Sequence, residues 1–134
     1  MYLGSCLCGK VNVKITGNIT SIIHCHCSLC RKNSGTAFAT NGFVNADEFL
    51  ITQGQGSLSG YAFKPGRTRY FCACCGSPIY SENTSDKSRF RIRLGLLDSD
   101  IAEKPISHNF VTSKANWEQL ETSLPCHEKH EPGR

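Results

Sequence analysis

Phe71-Cys72-Ala73-Cys74-Cys75-Gly76 is the stretch that decides the fold, because it is half of something. Cys72 and Cys75 stand in C-x-x-C spacing with a glycine behind them. That is a zinc-knuckle turn, in which glycine lets the backbone approach and donate to the sulfurs. A tetrahedral site needs two more ligands, and Cys6-Leu7-Cys8 offers them. Read as a strand, positions i and i+2 share a face, so both sulfurs reach one ion. A closed structural site of Cys6, Cys8, Cys72 and Cys75 would tie the N-terminal strand to the middle of the chain. Its metal affinity would contribute directly to folding. Cys74 is left over and reads as a small buried or free thiol.

Nine cysteines in 134 residues leave two classes open, a secreted disulfide scaffold or a metal protein. The spacings favour chelation: C-x-C, C-x-C-x-x-C, C-x-C-C and a single Cys126. The opening Met1-Tyr2-Leu3-Gly4-Ser5-Cys6 lacks the basic and apolar regions of a signal peptide. A cytoplasmic protein is therefore expected. No apolar run approaches the ~18–20 residues that span a bilayer, so no membrane partner is expected. The formal net charge is +4, too small an excess to suggest a dedicated nucleic-acid binder.

The hydrophobic period is mostly two. Lys10-Val11-Asn12-Val13-Lys14-Ile15 and Arg89-Phe90-Arg91-Ile92-Arg93-Leu94 alternate without a break. Ser21–Cys25, Ala37–Thr40, Leu58–Phe63 and Thr68–Phe71 are further strand candidates, punctuated by glycines. Short helices are predicted around Ser28–Asn33 and Lys114–Leu120. The reading is a mainly β domain over residues 1–124 with metal sites at its loops. A polar tail, 125–134, is expected to fray.

Cys25-His26-Cys27-Ser28-Leu29-Cys30 gathers three sulfurs with no obvious fourth. Zinc on three protein ligands keeps an open position, which is the mark of a catalytic site. Strand alternation points His24 and His26 away from the cysteine face. The competing reading is a second structural site completed by Cys74, Cys126 or a tail histidine. Arg31 and Lys32 follow directly, where cations would offset thiolate charge or hold an anionic substrate. Arg89, Arg91 and Arg93 read as the solvated face of an outer strand, and Trp117 reads as a core anchor. Cys126-His127-Glu128-Lys129-His130 looks like a metal tract but reads as solvated coil.

In this order, the motifs resemble the glutathione-dependent formaldehyde-activating enzyme family, which also contains centromere protein V. Its G-x-C-x-C-G-x-V pattern is similar to Gly4–Val11, and its C-H-C-S-x-C-R-[KR]-x-x-G segment to Cys25–Gly35. Phe71–Gly76 resembles its F-C-x-x-C-G segment, Leu94–Asp98 its glycine-leucine-aspartate segment, and His108–Trp117 its closing H-x-F-V-x-S-K-x-x-W pattern. Val13 and Cys126 depart from the family, which often has aromatic or apolar residues there.

The resemblance implies a β-tent fold of short antiparallel sheets built around zinc, with one or two short helices. It implies two zinc ions per chain, a structural one on Cys6, Cys8, Cys72 and Cys75 and a catalytic one on Cys25, Cys27 and Cys30. It implies a carbon–sulfur lyase that forms or cleaves S-(hydroxymethyl)glutathione, or a related thiohemiacetal or thioether. The partners are then a small thiol, glutathione, and a small aldehyde, with Arg31 or Lys32 orienting the glutathione carboxylates and His26 as a guess for the general acid. The alternative is a zinc-stabilised binding module or glutathione carrier without turnover. Seven ligating thiolates and two zinc ions would bring the formal charge to about +1.

Overall fold

The computed structural model of the protein describes residues 1–120 and 123–134. The chain is mainly β. Its strands are β1 (Tyr2–Ser5), β2 (Asn12–Ile15), β3 (Thr20–Cys25), β4 (Ala39–Asn45), β5 (Phe49–Gln53), β6 (Leu58–Lys64), β7 (Arg67–Cys72), β8 (Pro78–Asn83), β9 (Asp86–Arg93) and β10 (Ser107–Asn109). One α-helix, α1 (Ser28–Ser34), follows β3. The strands form a three-stranded sheet, β1-β2-β5, and a seven-stranded sheet, β10-β3-β4-β9-β8-β7-β6. All pairs are antiparallel except β10 with β3.

The alternation seen in the sequence explains the layering. Val13 and Ile15 of the small sheet, and Val11 just before β2, enter one core with Ile22, Val44, Ile79 and Ile92 of the large sheet. Burying such side chains is worth about 1.5–3 kcal/mol each. Arg89, Arg91 and Arg93 therefore face the other side of the large sheet. A bulge at Ser21, whose φ is 48°, lets Ile22 and Ile23 both be buried. Beyond it, Ile23 and Cys25 lie on the arginine side, in a small cluster with Cys30 and Ala39.

Three expectations are corrected. No helix forms at Lys114–Leu120: Val111–Ser113 is one 3-10 turn, and Lys114 takes extended angles (φ −61°, ψ 151°). Trp117 is no core anchor, since it is 68% exposed. The segment from Pro125 does not fray. It runs back along β10, with backbone hydrogen bonds from His108 to Pro125 O and from His127 to His108 O, both 2.9 Å. Glu131 is buried and accepts from Asn109 Nδ2 at 3.0 Å, while Arg134 pairs with Glu131 at 2.9 Å. The tail is polar because its partners are the polar backbone and side chains of a buried three-residue strand.

Replacing Glu131 with Ala leaves the buried Asn109 amide without its carboxylate, so stability should fall by about 1–3 kcal/mol. Denaturant unfolding measures this. An unchanged midpoint would contradict the docked tail.

Candidate metal centres and adjoining groove

Two groups of three or more metal-ligand side chains converge among the described residues: Cys6, Cys8, Cys72 and Cys75, and Cys25, Cys27 and Cys30. All nine cysteines are free thiols.

The first group is built by two turns. Cys6 and Cys8 do not lie in a strand as the C-x-C spacing suggested. They sit in the turn that follows β1, where Gly9, at φ 79°, donates its N–H to Cys6 O at 3.0 Å. Cys72 ends β7, and the N–H of Gly76, at φ 78°, donates to its carbonyl at 2.7 Å. An L-residue is strained at such angles, so glycine keeps both turns tight. The Val11 N–H donates to Cys6 Sγ at 3.2 Å, a contact that favours thiolate. The Cys6–Cys8 and Cys8–Cys72 sulfurs lie 3.7 and 3.8 Å apart. Tetrahedral bonds of ~2.3 Å place sulfurs ~3.8 Å apart, so the donor set fits zinc. Cys74, beside the group, is exposed and hydrogen-bonds Lys10.

The second group straddles a strand end and a helix start. Cys25 ends β3; Cys27 is the N-cap of α1, its sulfur accepting from the Cys30 N–H at 3.4 Å; Cys30 lies one turn in. The three sulfurs lie within 4.8 Å of one another, and no fourth cysteine or histidine among the described residues joins them. Cys126 is exposed beside β10, so neither it nor Cys74 completes the set. Arg69 Nη2 reaches Cys30 Sγ at 3.6 Å, anchored by Nη1 on the Leu29 carbonyl at 2.9 Å. Arg93 is held by Asn41 and, at 2.6 Å, by Asn33. Contact with Cys25, then with Cys27, and the Arg93 and Arg69 charges draw the Cys30 thiol far below its ordinary value. Contact with Cys27 and Cys30 pushes Cys25 up. Opposite shifts on touching sulfurs mean that one ionises at the others' expense, and a cation among them relieves that conflict.

The histidines stand behind this group rather than in it. His26 is fully buried with Nε2 2.9 Å from His108 Nδ1, and burial lowers its pKa to about 4. His24 Nδ1 meets Thr40 Oγ1 at 2.8 Å. The arginines of β9 are not a solvated face. Arg91 and Arg93 are half-buried, and desolvation is the first cause lowering the pKa of each. Arg31 is half-buried and Lys32 exposed on α1. Arg69 and His108 carried no functional reading in the sequence; a lone arginine on a strand and a histidine inside a C-terminal motif gave no contact signal.

A groove of about 440 Å³ has Leu7 and Ser77, next to the first group, and Ser34, Phe38, Thr40 and Arg93 among its walls, while none of the seven clustered cysteines lines it. Ala39, the β-partner of Cys25, also lines it.

The glutathione-dependent formaldehyde-activating enzyme family model matches residues 1–113. The chain belongs to this family. A Halomonas elongata protein, provisionally named a glutathione-dependent formaldehyde-activating enzyme, is 28% identical over 128 residues, covering 89% of this chain and 80% of that one. The crystal structure of a Rhodobacter sphaeroides protein superimposes with a TM-score of 0.62 at 20% identity, over 75% of this chain and 91% of the other, and so shares the fold. Within a family chain, a four-sulfur and a three-sulfur group make different predictions. Cys72→Ser should abolish cooperative folding, because it removes one of the four sulfurs that converge between the two sheets. Cys27→Ser should keep the fold, as followed by circular dichroism, and lower the bound metal by about one ion per chain. Unfolding of the Cys27 variant would make the second group structural as well.

Proposed function

We propose that the protein is a zinc-dependent carbon–sulfur lyase that forms or cleaves S-(hydroxymethyl)glutathione or a related glutathione thiohemiacetal. One observation carries the reading: three converging cysteines, with no fourth protein ligand among the described residues. Family membership supports glutathione and formaldehyde as the small-molecule partners. Cys25, Cys27 and Cys30 would hold the catalytic zinc, and Cys6, Cys8, Cys72 and Cys75 the structural one. Bound on three thiolates, zinc supplies an open electrophilic position that favours a deprotonated substrate thiol.

The chain's own residues do the rest. Arg69 and Arg93 place fixed positive charge against Cys30 and hold the local negative charge in check. Arg93 also lines the groove, where its guanidinium is placed to take a substrate carboxylate. Arg31 and Lys32 are candidates for the other carboxylate. Thr40, whose Oγ1 lies 2.8 Å from His24 Nδ1, is among the groove's walls. In the forming direction the thiol sulfur bonds to the carbonyl carbon and the oxygen takes up the proton the thiol has lost. Cleavage reverses both changes. His26, neutral and turned to His108, positions the loop between Cys25 and Cys27 rather than facing the groove. No helix among the described residues is long and apolar enough to cross a membrane. Nine free thiols are chemically suited to a reducing compartment, and we place the protein in the cytoplasm.

The test is the rate of adduct formation from glutathione and formaldehyde, measured against the uncatalysed reaction. Wild type should accelerate it, Cys27→Ser should return it to background, and Arg93→Gln should raise the KM for glutathione about tenfold or more. Glutathione binding with no acceleration would instead favour a carrier.

A further inference from the structure

The arginine side of the large sheet holds a second pocket, away from the cysteine groove. Its volume is about 260 Å³, and Arg67, Arg89, Arg91, Arg134, His130 and Asn83 are among its walls. Phe43 lines it too, with Arg89, Arg91 and Arg134 packed around the ring at 3.8, 4.7 and 5.2 Å from its centroid. The strand register fixes its place. Ser81, Arg91 and Phe43 form one row, Arg93 and Asn41 the next, and Ala39 and Cys25 the one beyond. Two residues advance a strand by ~6.7 Å, so the Phe43 row lies roughly 13 Å from that of Cys25.

The charges in this pocket do not balance. Asp86 is taken by Arg89 at 2.6 Å, and Glu131 by Arg134 at 2.9 Å. Glu82 accepts the Tyr70 hydroxyl at 2.5 Å. Arg67 and Arg91 have no carboxylate partner among the described residues. The Nε of Arg67 is buried with no hydrogen-bond partner. Burial lowers the pKa of Arg91 to about 10, helped by Arg134 and Arg67, and burial also lowers that of Arg67; the charge of Cys30 opposes both shifts without cancelling them. Half-buried guanidinium groups placed together repel, and an oxyanion taking their planar donors removes that cost. The docked tail supplies two of the walls, so the pocket depends on residues outside the segment that the family model matches.

We propose that this pocket binds a small molecule through a phosphate or carboxylate oxyanion held by Arg67 and Arg91, separately from the cysteine groove. The Ser81 hydroxyl and Asn83 amide at its wall would take further polar atoms of that molecule. The proposal does not rest on the lyase reading, and its test uses neither glutathione nor formaldehyde.

The test is titration of the zinc-loaded protein with inorganic phosphate and, in a second arm, with succinate, both against chloride at equal ionic strength. At least one anion should bind saturably at millimolar concentration and raise the Tm. The stronger arm identifies the oxyanion. Arg67→Gln and Arg91→Gln should weaken binding roughly tenfold or more, and Cys27→Ser should leave it unchanged. If an arginine variant fails to fold, the wild-type protein still decides. Saturating anion must shift the His130 ring resonances by NMR and leave those of His24 in place. Stabilisation no greater than chloride gives, equal affinity in the folded arginine variants, loss of binding in Cys27→Ser, or an unmoved His130 would each overturn the proposal.

Discussion

The convergence of Cys6, Cys8, Cys72 and Cys75 is the constraint on which the rest of the structure depends. Two of these sulfurs follow β1 of the small sheet, one ends β7 of the large one and the fourth follows it. Sequential strands alone do not hold these sheets together, because a three-stranded sheet this small buries little by itself. The apolar core between the sheets supplies the non-directional part of the attraction. The four sulfurs supply a fixed crossing point, at spacings of 3.7 and 3.8 Å that a tetrahedral ion satisfies.

The other face of the large sheet carries the three-sulfur group. The same C-x-C spacing that closes a turn at Cys6 and Cys8 does something different at Cys25 and Cys27. There the chain leaves a strand and enters a helix, so the third sulfur comes from α1. Arginines from β7 and β9 run along this face, and two of them sit against Cys30. Their positive charge and the cluster's negative charge explain each other.

Period-two alternation made β2 and β9 legible, and turn glycines made β3, β6 and β7 so. Among the missed strands, which include β5 and β8, two have plain physical reasons. Ser107-His108-Asn109 is polar yet buried, because its side chains bond to other polar groups rather than to water. Tyr2–Ser5 is short and half of it is glycine and serine. The cysteine partition was readable because ligand spacing is local. What sets the partition in space was not, since Arg69, Asn41 and His108 act across the sheet from distant segments. The predicted helix at Lys114–Leu120 failed, and Trp117 within it is 68% exposed and so anchors no apolar face. The tail was misread because polarity alone does not separate a solvated coil from one that satisfies a buried edge.

The central claim is that seven cysteines hold two ions unequally, four on one and three on the other. X-ray absorption at the zinc edge of the purified protein, together with metal content, tests this most directly. Seven sulfurs shared over two ions average 3.5 per ion, at about 2.3 Å, with the remainder a lighter oxygen or nitrogen ligand. A single ion per chain with four sulfurs, or two ions each with four, would contradict the account.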